Sequence, residues 1–130
     1  MTSNVPQLTG ITVSEGNGSV LVRYDLDGPI PQTSTFLVGF YAASADGKIR
    51  KQFGIKFLDG KVSALFVFDN DATPSQENFD YVVEHDDPNM IMTPYPATFW
   101  DALGKEPQLR GFSNYDGNDR QTDLAVEVVR

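Results

Sequence analysis

The sequence predicts an all-β chain folded as an antiparallel two-sheet sandwich, with one short helix near residues 98–103. Apolar and polar residues alternate at period two from one end to the other, as in strands with one buried face. Two Asp-Gly pairs, Asp46-Gly47 and Asp59-Gly60, separate apolar-rich runs. Both residues of such a pair tolerate the positive φ of a tight hairpin turn. Eleven Gly and eight Pro in 130 residues are the punctuation that many short strands need. Nine Phe and five Tyr suit pleated, half-buried surfaces.

The elements follow in order. Residues 9–14 read as a first strand with Ile11 and Val13 on one face, and Glu15-Gly16-Asn17-Gly18 as a turn. Val20, Val22, Tyr24 and Leu26 alternate with Leu21, Arg23 and Asp25 in a half-buried strand that Pro29 and Pro31 stop. Residues 36–43, 49–58 and 62–69 form a three-stranded meander around the two Asp-Gly turns. In it Phe53, Ile55 and Phe57 oppose Arg50, Gln52 and Lys56, and Phe36, Val38 and Phe40 share the core with Phe66 and Phe68. A polar loop over 70–78 leads to a strand over 79–84 and an apolar run at Met90-Ile91-Met92. Thr98 is placed to cap a short helix that carries Phe99, Trp100 and Leu103, with Gly104 closing its last turn. The predicted organisation is a single domain: a sandwich core over 1–104, a polar arm over 105–123, and a terminal strand over 124–130.

Bulk properties narrow the function. A formal charge of −8 disfavours nucleic acid and anionic membranes, both of which need a surplus of Lys and Arg facing them. The absence of Cys rules out disulfides, thiolate nucleophiles and zinc-thiolate sites. Residues 1–6 have neither the basic start nor the apolar run of a signal peptide, and no stretch approaches the roughly 20 apolar residues of a membrane span. A cytoplasmic or virion-associated setting is therefore expected.

Three groups of residues could carry chemistry. His85 is the only histidine and is followed by Asp86 and Asp87, so a small hydrolase or isomerase centred on it is one reading, although no Gly-x-Ser-x-Gly elbow accompanies it. In an up-and-down meander, Asp25, Asp27, Asp59, Glu84, Asp86 and Asp87 gather at one end of the sandwich and Asp46, Asp69, Asp71 and Glu77 at the other. Hard Ca²⁺ requires such oxygen clusters, and Asp25, Asp27, Asp59, Asp86 and Asp87 are the candidate ligands. The competing explanation is that Asp is simply a good turn residue. Tyr95, Phe99 and Trp100, framed by Pro94 and Pro96, form an aromatic cluster that stacks on a sugar or anchors a protein if exposed, and plugs the sandwich if buried.

Length, strand count and turn chemistry are similar to those of immunoglobulin-like and fibronectin-like sandwiches, and a jelly roll or other small barrel shares them too. The chain has no Cys pair, and Trp100 falls later than the usual core Trp, so no family follows. The leading expectation is a non-enzymatic module that works by assembly, through protein partners or self-association, such as a phage capsid-decoration or tail component. A carbohydrate-binding or adhesive module, with Ca²⁺ on its loops, is the alternative. The terminal strand can pair in its own sheet or complete that of a neighbouring subunit.

Overall fold

Alternation in the sequence becomes alternation in burial. In β2 (Ser19–Leu26) Val20, Val22, Tyr24 and Leu26 are buried, whereas Leu21 and Arg23 are exposed. The computed structural model describes residues 5–16, 18–69, 76–81, 83–84, 87 and 89–129. Within them the other elements are β1 (Leu8–Glu15), β3 (Thr35–Ala43), β4 (Arg50–Leu58), β5 (Lys61–Asp69), β6 (Gln76–Phe79), β7 (Met90–Pro96), α1 (Ala97–Asp101), β8 (Gln108–Tyr115), β9 (Asn118–Leu124) and β10 (Val126–Val129). They form a two-sheet sandwich, as the sequence predicts, with strand orders β10-β1-β2-β7 and β6-β5-β4-β3-β8-β9. Among the described residues no helix is long and apolar enough to cross a membrane.

The meander forms as expected, but its two Asp-Gly pairs behave differently. Asp59 and Gly60 adopt φ of 52° and 81°, the two positive values of a tight hairpin turn. Asp46-Gly47 instead lies within a longer loop, where only Gly47 has positive φ. There the Asp46 carboxylate accepts hydrogen bonds from Ser44 Oγ and the Lys48 N–H, which hold its pKa below the usual range.

Phe66 and Phe68 do not join the core. A bulge opposite Lys56 and Phe57 inserts one extra residue into β5, so Lys56 pairs with Ala64 but Phe57 with Val62. From there Leu65 and Val67 face inward, and Phe66 and Phe68 share the outward face with Gly54 and Gln52. The strand expected over 79–84 is also different. β6 ends at Phe79, and beyond it Glu84 makes an isolated bridge to Met92 on a β7 that runs on to Pro96. α1 starts at Ala97 with Pro96 as its first flanking residue and no side-chain cap, so Thr98 lies inside the helix rather than capping it. Gly104, at φ 75°, closes the turn onto the Asp101 carbonyl as expected.

The largest difference lies in residues 105–123, where the expected polar arm is the hairpin of β8 and β9. Its turn is a further Asp-Gly pair, Asp116 at φ 52° and Gly117 at φ 81°. Ser34 clasps both hairpin turns: its N–H donates to Asp59 Oδ1 at 2.9 Å and its hydroxyl to Asp116 Oδ1 at 2.6 Å. From β9 the chain crosses to the other sheet through Ala125 alone. β10 then pairs with β1 of its own chain in parallel, the exception to antiparallel pairing in the sandwich. The Gln121 side chain closes this side, accepting from the Leu8 N–H at 2.8 Å and from Ser113 Oγ at 2.8 Å, and donating to the Leu8 carbonyl at 3.1 Å.

Between the sheets lie Phe36, Phe40, Phe53, Phe57, Ile55, Ile91 and Val13, all fully buried. Tyr24 and Tyr95 are buried as well, their hydroxyls 3.2 Å apart, which satisfies each inside an apolar core. Burial pushes the Tyr95 phenol up to about 12 and raises that of Tyr24 well above its ordinary value.

Candidate functional site

The predicted aromatic cluster splits. Trp100 lies in the core, edge-on to Phe40 and Phe53 with centroids 6.4 Å from each, and its indole N–H donates to Glu15 Oε1 at 2.6 Å. Tyr95 is edge-on to Phe53 at 5.2 Å. Neither ring has a face open to a sugar, because β7 and α1 turn both inward to plug the sandwich. Phe99 is half-buried and meets Phe79 at 5.7 Å, which in turn stacks on the exposed Tyr81. The Lys51 ammonium sits 5.5 Å from the Phe99 centroid and pairs with Asp69 at 2.5 Å, so this cation is neutralised inside the fold.

The acidic candidates disperse. Asp25 pairs with Arg23 at 2.9 Å on its own strand. Asp27 accepts from the Gln7 N–H and Asp59 from the Ser34 N–H, each tying one segment to another, and Asp87 accepts from the Asn89 N–H within its own turn. Asp86 and His85 lie outside the described residues, as does Asp71. Among the described residues no three His, Asp or Glu gather where they could hold a metal ion.

The surface that does converge is the outward face of the six-stranded sheet. Pairing registers set Arg110, Tyr41, Gln52 and Phe68 in one row across β8, β3, β4 and β5. Gln108, Ala43 and Arg50 form the row on one side, and Phe112, Gly39, Gly54 and Phe66 the row on the other. Beyond that come Asn114, Leu37, Lys56 and Ala64.

The glycine row shapes this face. A Cβ on Gly39 would stand 2.1 Å from the Phe53 carbonyl oxygen and 2.7 Å from Phe112 Cζ, and one on Gly54 would stand 2.7 Å from Phe66 Cζ. Only glycine lets the two phenyl rings lie down on the sheet. Phe112 then supports the Tyr41 ring at 4.7 Å, and the Arg110 guanidinium sits 5.1 Å from the Tyr41 centroid on the same face. Tyr41 is thus fixed between a buried ring and a cation, although it remains partly exposed. Small Ala43 leaves a depression beside it, part of an open groove of about 650 Å³ lined by Tyr41, Arg50, Gln52, Phe68, Gln108 and Arg110.

The charge of this face differs from that of the chain. Its outward positions on β3, β4, β5, β6 and β8 include Arg50, Lys56, Arg110 and, at the far end of β5, Lys61, but no Asp or Glu, in a molecule of formal charge −8; the carboxylate on this side is Asp119 of the edge strand β9, beside Asn114. Among the described residues none of these four cations has an ion-pair partner; the pairs formed are Arg23–Asp25 and Lys51–Asp69. Comparison with protein-family models, curated proteins and solved structures finds no match. The groove presents two guanidiniums, two amides and exposed aromatic edges, with no nucleophile–base pair among these lining residues.

Parity in the sequence places Arg50, Gln52 and Lys56 on the outward face, where the structure has them, but it does not reveal the rest of the site. Arg110 belongs to β8 rather than to a polar arm, Phe68 faces outward rather than into the core, and the pairing of Gly39 with Gly54 depends on a register that sequence spacing does not specify.

Proposed function

We propose that the chain is a non-enzymatic interaction module that works by assembly, and that the outward face of its six-stranded sheet is the working surface. The single observation behind this reading is a groove on this face of an acidic chain where Arg50 and Arg110 have no carboxylate partner and no Asp or Glu stands among the lining residues. Charges on a finished surface are interspersed and cancel locally; a one-sign patch beside Tyr and Arg has the composition of a recognition site. Strand order supports an immunoglobulin-like version of the module: β2 lies beside β7 and β3 beside β8, with extra strands extending the β3 sheet. That likeness is architectural, so it bears on the scaffold and not on the partner. Attachment to a virion surface is the specific setting proposed.

The test compares tagged wild-type chain with the Arg50→Glu/Arg110→Glu double variant in the source cells. A partner that co-purifies, or particles that co-sediment, with wild type should be lost with the double variant while the variant still melts cooperatively, within about 10 °C of wild type. Identical recovery by both chains would remove this face from the function.

A further inference from the structure

We infer that the groove beside Tyr41 receives an extended acidic segment of a partner polypeptide, with carboxylates at alternate residues reaching Arg110 and Arg50. The inference rests on the preceding proposal that this face is the working surface, and adds the chemistry of its occupant.

The span argues for a short peptide. Arg110 on β8 and Arg50 on β4 are separated by β3 and offset by one row, two strand spacings across and two residues along, or about 12 Å. An extended chain rises about 3.3 Å per residue and turns alternate side chains to one face. Such a chain crossing the groove therefore brings two same-face carboxylates, about 7 Å apart, within reach of the two long guanidinium side chains. Arginine is the suited partner, since its planar fork takes a carboxylate through two parallel hydrogen bonds.

The remaining lining fits a peptide as well. The Gln108 amide donates to the Ala45 carbonyl at 3.2 Å, which fixes the side chain and leaves its carbonyl oxygen to accept a backbone N–H. Gln52 stands across β3 from Arg110, between Tyr41 and Phe68 in the same row, where its amide can meet a peptide bond. The Tyr41 edge and Phe68 offer apolar contact to a side chain between the two acids.

Charge beyond the groove argues against a polyphosphate strand. Nucleic-acid binding draws on counterion release from many phosphates, whereas the cationic stretch here is two arginines wide. Asp46, in the loop between β3 and β4, and Asp119 of the edge strand β9, held by Asn114 of β8, stand beyond the groove and would repel a longer anion. A segment with two carboxylates fits within those limits.

Fluorescence anisotropy with a labelled peptide of about twelve residues, Glu at alternate positions around a central Leu, tests the inference on the full chain. The expected result is saturable binding that weakens as salt is raised. Arg50→Glu and Arg110→Glu should each lower the affinity about tenfold or more, by removing a cation and adding a repulsive charge. Lys61→Glu, at the far end of β5, should leave it within about twofold, since exposed charges beyond a Debye length are largely screened. Absence of peptide binding, or equal loss with Lys61→Glu, overturns the inference. So does tighter binding of a labelled oligothymidine, or a wild-type dimer in sedimentation that Arg110→Glu abolishes, which would assign the face to nucleic acid or to a second copy. If the peptide fails while the cellular partner is still lost with Arg50→Glu/Arg110→Glu, the acidic-segment inference falls and the interaction face stands. If that double variant keeps the partner, both fall.

Discussion

On the four-stranded sheet, Leu21, Arg23 and Asp25 of β2 stand opposite Pro94, Met92 and Met90 of β7. Its Arg23 is already held by Asp25. On the six-stranded sheet, Arg50, Lys56 and Arg110 share a face with Tyr41, Phe66, Phe68 and Phe112, and no carboxylate stands among them on β3, β4, β5, β6 or β8. The inward faces of both sheets are built alike, from alternating apolar residues that fill one core. The contrast teaches that the number of cations on a surface matters less than where their counter-charges lie. A cation paired within its own strand completes that surface, whereas cations without a counter-charge on their own or neighbouring strands set up a field that acts outward.

The backbones of the two sheets differ as sharply as their charges, and substitution of glycine exposes the difference most strongly. Gly39→Val should cost about 3 kcal/mol or more, because its Cβ meets the backbone of β4 as well as the Phe112 ring. Gly10→Ala on β1 should change stability by less than about 1 kcal/mol, since the nearest atom to its Cβ is an Asp25 oxygen at 3.7 Å. Urea unfolding of the two variants reads the gap. Equal losses would show that the Gly39–Gly54 approach does not constrain the six-stranded sheet.

A second measurement isolates the four-stranded sheet through its two inward tyrosines. Their folded pKa values are raised, so the neutral phenols favour the folded state: the contribution is complete below pH 10 and is lost as pH rises from there. For Tyr95 the interval from 10.0 to about 12 corresponds to roughly 3 kcal/mol, and Tyr24 adds to it in the same direction. Urea midpoints at pH 9, 10 and 11 should fall steeply after 10, and Tyr95→Phe should flatten the descent. A wild-type curve level to pH 11 would contradict the burial of these hydroxyls.

The smallest effect on stability is expected where the effect on binding is largest. Arg50→Glu and Arg110→Glu remove no core contact and should each shift unfolding by about 0.5–1 kcal/mol at most, the worth of an exposed cation–π contact or less. Thermal melts check this directly. A loss of several kcal/mol would mean that these cations hold the sheet together, and the comparison between finished and unfinished faces would collapse.

Much of this architecture was legible in the sequence, and its gaps have physical causes. The Asp59-Gly60 turn stood out because apolar alternation flanks it on both sides. Asp116-Gly117 has the same chemistry, but β9 is an edge strand with few buried positions, so Asn118-Asp119-Arg120 shows no alternation to frame the turn. In β5 the run Leu65-Phe66-Val67-Phe68 is apolar in both parities, which hides the one-residue bulge that chooses between them. The site shares both difficulties, since one wall comes from β8 and the other from the outward parity of β5. Its glycine floor depends on cross-strand register, which sequence spacing alone does not specify.

The parallel pairing of β1 with β10 has a mechanical consequence. Ile11, Thr12, Val13 and Ser14 lie beside Val126, Glu127, Val128 and Val129 with both strands pointing the same way. Tension applied between the segment before Leu8 and the segment after Val129 pulls the two strands past each other along their length. Their evenly spaced bonds are then loaded together in shear, rather than one at a time as in an unzipping hairpin. The seam that closes the sandwich is therefore also the element that bears the load when the molecule is stretched.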